Sequence, residues 1–260
     1  MSVSTLILRT AGTNCDAELA FAFEQAGATT QTLHLSRLIE APSLLEQFDI
    51  VGFPGGFSYG DDIAAGRILA NRLRHRLLEP LQAAVQRGVP MIGICNGFQV
   101  LVKLGLLPDP SLAQQTVTLG DNTSGRFICK WTPLVAAEGS KCVWTRGLGR
   151  FDLPMAHGEG RFTGPPEVLQ QLGANGQVAL RYDIEGEHEN PNGSDDDIAG
   201  ICDPTGLVFG LMPHPERFTV PTQHPQWTRQ PASFREETMP GLKLFQNAVE
   251  HARQNAAAAC

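Results

Sequence analysis

Short apolar runs alternate with amphipathic stretches over the first 107 residues of the chain. Val3 to Leu8, Thr30 to Leu35 and Phe48 to Phe53 have the length and composition of strands. Between them, Glu18 to Ala26 has helical spacing and stops at Gly27, and Ser43 to Gln47 predicts a short helix. Ile63 to Arg87 predicts a long, basic-faced helix interrupted near Pro80. Val89 to Ile94 is a fourth strand, and from Phe98 the apolar positions Phe98, Leu101, Val102 and Leu104 to Leu106 return at helical spacing. This alternation predicts βαβ units on a parallel sheet, with the chemistry in the loops beyond the strands' carboxyl ends.

The second half is less regular. Thr116 to Leu119, Arg126 to Trp131 and Lys141 to Trp144 are β-prone and predict mostly antiparallel strands. Gln177 to Tyr182, Ile198 to Cys202 and Leu207 to Met212 predict further strands, and Leu242 to Ala252 a closing amphipathic helix. No linker divides the 260 residues, which predicts one domain over 1–260. An α/β fold follows, with a mostly parallel central sheet, flanking helices and additional antiparallel strands.

Composition narrows the class of partner. Hydrophobic residues make up 42% and charged residues 18%, ordinary values for a globular protein, and the net charge of −7 with no Lys/Arg cluster argues against nucleic acid or an anionic membrane. No apolar run reaches membrane-spanning length, and the start has no signal-peptide pattern. The six cysteines, at 15, 95, 129, 142, 202 and 260, include no C-x-x-C pair and no zinc-like spacing. Reduced thiols, a cytoplasmic location and no metal site are therefore expected. Asp195 to Asp197 lack the alternating acids of a calcium loop and read as solvated.

Three loops carry candidate chemistry. Gly93-Ile94-Cys95-Asn96-Gly97 joins the fourth strand to its helix and has the form of a nucleophile elbow with sulfur in place of oxygen. The following helix offers unpaired N–H groups and partial positive charge to a thiolate. Pro54-Gly55-Gly56-Phe57-Ser58-Tyr59-Gly60-Asp61-Asp62 has no phosphate-loop lysine, and its paired glycines suit donors to an oxyanion, Gly56 on one side and the N–H of Asn96 on the other. Pro213-His214-Pro215-Glu216 supplies a rigidly held base and a carboxylate to orient it. His157 and Glu159, in Leu153 to Phe162, either line the site or tie down a turn.

Gly93-Ile-Cys-Asn-Gly-Phe-Gln99, Pro54-Gly-Gly56 and Pro213-His-Pro-Glu216 resemble the three signatures of class I, triad-type glutamine amidotransferases. Gly12-Thr-Asn-Cys-Asp16, His157-Gly-Glu-Gly160 and Asn190-Pro-Asn-Gly-Ser194 resemble, within that class, the glutaminase subunits of phosphoribosylformylglycinamidine synthase, of purine biosynthesis. The resemblance runs from Arg9 to about Phe218 and implies a flavodoxin-like fold. It also implies that Cys95 attacks glutamine, His214 handles the protons and Glu216 orients His214. Gly56, Phe57, Asn96 and Gln99 fall at positions near the glutamine and its oxyanion. Ammonia would pass to a synthetase subunit that binds ATP and Mg, beside a small third subunit; this chain has no cofactor motif of its own. Thr219 to Glu237 extends beyond the family minimum, either beside the site, toward the synthetase, or as a surface loop.

Two other readings compete with this one. A different cysteine hydrolase, such as a γ-glutamyl hydrolase or an intracellular peptidase-like protein, shares an elbow and a histidine, but does not predict the Gly-Thr-Asn-Cys-Asp or Asn-Pro-Asn-Gly-Ser loops. A silent binding subunit would not need Cys95, His214 and Glu216 together.

Overall fold

The structure, a computed structural model, describes residues 2–61 and 63–258. Asp62, at the end of the glycine loop, and Ala259 and Cys260 lie outside the described residues. In chain order the elements are β1 (Val3–Arg9), α1 (Asp16–Gln25), β2 (Ala28–His34), α2 (Leu35–Glu40) and β3 (Ile50–Phe53). Then come α3 (Arg67–Arg76), α4 (Leu78–Gln86), β4 (Met91–Ile94), α5 (Asn96–Leu104), β5 (Thr118–Asp121), β6 (Ile128–Ala136) and β7 (Arg150–His157). The chain closes with β8 (Glu159–Thr163), α6 (Pro166–Ala174), β9 (Val178–Tyr182), β10 (Ile198–Cys202), β11 (Val208–Leu211) and α7 (Pro240–Ala258).

Nine strands form one sheet in the order β2-β1-β3-β4-β11-β10-β9-β6-β7, and β5 and β8 form a separate antiparallel pair. From β2 to β11 the neighbours run parallel; from β11 to β7 they alternate in direction. The residue pattern explains the division. Every residue of β3, β4 and β11 is buried, as strands covered on both faces require, whereas β7 alternates between buried and partly exposed positions. Helix α7 packs on α1 through Phe245 and Phe23, whose rings lie edge to face 4.9 Å apart. No helix among the described residues is long and apolar enough to cross a membrane.

The interruption expected near Pro80 is present, at Leu77, with φ −131°, and leaves Pro80 in the first turn of α4 where its missing N–H costs nothing. Several local expectations are corrected. Lys141 to Trp144 is a turn and not a strand; the Trp144 indole donates to the Leu207 carbonyl at 2.9 Å, so burial of a ring, not pairing, explains its apolar character. Leu35 begins α2 and does not end β2, because His34 caps that helix by accepting from the Ser36 N–H. Helix α6 was not foreseen.

The parallel strands gather the candidate loops at one edge of the sheet. β4 and β11 are neighbours with Ile94 opposite Leu211, and the Cys95 N–H donates to the Leu211 carbonyl at 2.8 Å. The residues after β11 therefore arrive beside the residue after β4. A further bond, from the His214 N–H to the Pro154 carbonyl at 2.7 Å, ties that loop to β7.

Candidate active site

Cys95 stands at the end of β4 with φ 51° and ψ −108°, a conformation that costs a side-chain-bearing residue energy and is kept only where its surroundings enforce it. The surroundings are visible in Gly97. A Cβ there would fall 1.9 Å from the Phe53 carbonyl oxygen, so only glycine lets the first turn of α5 lie against β3. Cys95 is 7% exposed, and its sulfur lies 3.8 Å from the Ala156 carbonyl. It opens on a cavity of about 480 Å³, within the usual range for a small-molecule site.

His214 and Glu216 are both buried, and His214 Nδ1 lies 2.6 Å from Glu216 Oε1. Burial alone would push the imidazole pKa down; the adjacent Glu216 carboxylate, helped by the Cys15 and Cys95 side chains, more than reverses this and holds it well above the usual histidine value. With Nδ1 on the carboxylate, Nε2 is the nitrogen left toward the cavity, and it has no hydrogen-bond partner. The ring is thus fixed in plane and in tautomer.

The glycine loop crosses the loop after β1. Thr13 and Gly56 form an antiparallel bridge made by the Phe57 N–H to the Gly12 carbonyl, 2.9 Å, and the Asn14 N–H to the Gly55 carbonyl, 3.4 Å. That pairing leaves the Gly56 N–H out of the ladder, and the φ of 139° at Gly56 is open to glycine alone. The Phe57 N–H is engaged, so Phe57 contributes its side chain, 48% exposed at the cavity. The Asn96 side chain accepts from the Ser58 N–H and donates to Asp61 and to Gln99 Oε1. Gln99 in turn donates to the Glu159 carbonyl. The first turn of α5 is thereby tied to both walls.

His157 and Glu159 are not in a loop: each ends or begins a strand, and Gly158 between them carries the chain from the large sheet to the small one. Both line the cavity. Asn122 spends its amide hydrogens on the Arg126 and His157 carbonyls, at 2.8 and 2.9 Å. Its oxygen, 3.0 Å from His157 Nδ1, therefore accepts the ring proton and leaves Nε2 as a bare acceptor, buried without a partner. Burial first, and the charge of His214 second, push this pKa down to about 4. His157 is neutral at ordinary pH.

Sequence reasoning missed Cys15 and Arg217 as cavity residues. Cys15 Sγ lies 3.1 Å from both Arg217 Nη2 and Asn14 Oδ1. The signal was available: Cys15 follows a parallel strand, in the same row of loops as Cys95, and Arg217 directly follows Glu216. His34, His75, His188, His224 and His251 lie away from the cavity lining.

The chain belongs to the glutamine amidotransferases: the family model described as the CobB/CobQ-like glutamine amidotransferase domain matches residues 2–252. Its relatives in that class include subunits named for one enzyme. Phosphoribosylformylglycinamidine synthase subunit PurQ of Dehalococcoides mccartyi is 50% identical over 257 residues, covering 97% of this chain and 98% of its own. The subunit of the same name from Methanococcus maripaludis is 39% identical over 262 residues, covering 95% and 96%. Among solved structures, a chain of PurLQS from Thermotoga maritima superposes with a TM-score of 0.73 at 30% identity, covering 96% of this chain and 99% of that one. The glutaminase domain of Trypanosoma brucei CTPS, with bound acivicin, shares the fold at 15% identity and a TM-score of 0.59, covering 96% and 94%.

Proposed function

We propose that this chain is the glutaminase subunit of a phosphoribosylformylglycinamidine synthase, hydrolysing glutamine and supplying the ammonia for conversion of formylglycinamide ribonucleotide to the amidine in purine biosynthesis. The observation that carries the reading is the meeting of Cys95, on its strained elbow, with the buried His214–Glu216 pair in one cavity, in a chain 50% identical to a named subunit of that enzyme.

Cys95 Sγ, as thiolate, adds to the side-chain amide carbon of glutamine, and the carbonyl π electrons move onto oxygen. The N–H groups of Gly56 and Asn96 receive that oxyanion. His214, carrying a proton on Nε2, gives it to the amide nitrogen as the carbon–nitrogen bond breaks, leaving ammonia and a γ-glutamyl thioester. A water then loses a proton to His214 Nε2 and attacks the thioester, and glutamate leaves as the thiolate reforms. Glu216 holds the imidazole in the required tautomer throughout. His157, neutral and with Nε2 bare, accepts a hydrogen bond from a glutamine N–H but cannot protonate the ammonia produced.

The remaining steps belong to partners. In the cytoplasm, a synthetase subunit binds ATP and Mg and consumes the ammonia, with a small third subunit in the assembly; the likeness to a chain of PurLQS supports the existence of such partner subunits. The test is glutamate release from glutamine by the purified chain, alone and with the synthetase subunit, its nucleotide substrate and ATP. Release stimulated by the partner supports the reading. No release under either condition, with a partner competent on free ammonia, sinks it.

A further inference from the structure

The loop Asn190-Pro191-Asn192-Gly193-Ser194 has no part in the mechanism, yet Asn192 is 0% exposed. Its side chain makes every hydrogen bond an amide can make. Nδ2 donates to the Gly160 carbonyl at 2.9 Å and to the Tyr182 hydroxyl at 3.2 Å, and Oδ1 accepts from the Ser194 N–H and hydroxyl at 3.0 and 2.8 Å. The Ser194 hydroxyl oxygen in turn accepts from the Phe162 N–H at 3.0 Å. Gly160 and Phe162 stand two apart on β8, so the groups they offer point to one side of the strand. β5 pairs with β8 along its other edge. On this edge the Asn192 and Ser194 side chains take the place of a neighbouring strand.

What that edge holds is the His157 ring. A Cβ at Gly160 would fall 2.2 Å from both Cε1 and Nδ1 of His157 and 2.6 Å from Nε2. A point so nearly equidistant from three ring atoms lies over the face of the ring. The bare Gly160 backbone therefore covers the imidazole, and any side chain there would displace it. The ring's edge is held from the same loop. Asn122, whose oxygen accepts from His157 Nδ1, precedes Thr123, whose N–H donates to the Asn192 carbonyl at 3.1 Å. Gly193, with φ 80°, lets Thr123 close on the loop, since a Cβ there would fall 2.3 Å from Thr123 Cγ2.

We propose that Asn192 is a positioning residue for glutamine binding: it anchors Gly160 and Thr123 around His157 and so keeps Nε2 of that ring presented to the substrate. The inference rests on the glutaminase reading and on the acceptor role given to His157. Asn192 itself does not line the cavity, so it acts through the ring and touches no reacting atom.

The kinetic test uses the full chain assembled with the synthetase subunit. Asn192→Ala removes the bond to Gly160; Asn192→Ser, too short to reach that carbonyl, serves if the alanine variant does not fold. The loss is that of one hydrogen bond to the substrate, so KM for glutamine should rise about three- to tenfold. The turnover rate should change by less than about twofold, the pattern of lost ground-state binding. In a His157→Gln background, Asn192→Ala should raise KM no further, because the two residues act as one. Asn247→Ala removes another buried asparagine, which donates to the Trp144 and Arg146 carbonyls away from the cavity lining, and should leave KM unchanged.

A second arm needs no substrate. The Cε1–H resonance of His157, assigned by its absence in His157→Gln, should titrate at about 4 in the wild type, where burial first and the charge of His214 second oppose protonation. In Asn192→Ala water reaches the ring, and the midpoint should move up to at least about pH 5. An unmoved His157 titration, an unchanged KM in Asn192→Ala, or KM effects that multiply in the double variant overturns the proposal. No glutamate release from the wild type, with a partner competent on free ammonia, would sink the glutaminase reading alone, because the titration decides the positioning without it.

Discussion

Acid should destabilise this protein through His157 by an amount the structure sets. The imidazole pKa is about 4 in the folded chain against 6.5 for a free histidine, with burial the main cause. Between these values the unfolded chain holds a proton that the folded chain refuses, so stability falls as pH falls. The contribution is intact above 6.5 and fully lost below about 4. At about 1.4 kcal/mol per pH unit, the difference between 6.5 and about 4 comes to about 3 kcal/mol, a large part of a typical domain's stability. His214 does not blur the window, because its raised pKa keeps it protonated in both states below 6.5. The assay is denaturant unfolding of wild type and His157→Gln at intervals from pH 7 to pH 4. Carboxylates affect both proteins alike, so the signal is the pH dependence of the difference. Wild type should lose about 3 kcal/mol more than the variant; parallel curves would refute both the lowered pKa and the neutral acceptor assigned to this ring.

Other expectations follow from the same geometry. Cys95→Ala should abolish glutamine-dependent amidine formation while sparing the reaction driven by free ammonia in the assembled complex, and His214→Ala should do the same; product assays with each nitrogen source separate the cases. Gly97→Ala forces a methyl into the Phe53 carbonyl and should cost at least about 1–3 kcal/mol in denaturant unfolding, with loss of activity as the elbow shifts. His224 joins Trp131, Phe218 and Phe234 in one aromatic cluster that pins the segment after Arg217, so His224→Ala should speed proteolytic cleavage within residues 219–237. Cys202→Ala, remote from the cavity, should leave glutamate release unchanged.

Much of the fold was legible because β3, β4 and β11 are buried on both faces and therefore read as unbroken apolar runs. The pattern failed where something other than strand or helix burial selected apolar residues. Trp144 is apolar because it fills the core from a turn. Cys95, His214 and Glu216 could be picked out because each sits in a rigid local motif after a predicted strand. Cys15 was passed over, since the meeting of the loops after β1 and β11 depends on strand order. Its contact with Arg217 spans 202 residues of chain. Asn122 was invisible for the same reason: its importance lies in the two hydrogen bonds that fix a histidine 35 residues away. In the segment 219–237, which holds three short 3-10 turns, His224 lies against Trp131 of β6 and Phe234 against His224.

The central claim is that glutamine passes through a thioester on Cys95. The most direct measurement is mass spectrometry of the chain, acid-quenched during glutamine turnover in the presence of the synthetase subunit and digested to peptides. The account predicts a γ-glutamyl adduct on the peptide carrying Cys95, absent in Cys95→Ala and appearing before glutamate accumulates. Glutamate accumulating at the same rate in Cys95→Ala, or an adduct on the Cys15 peptide in its place, would contradict it.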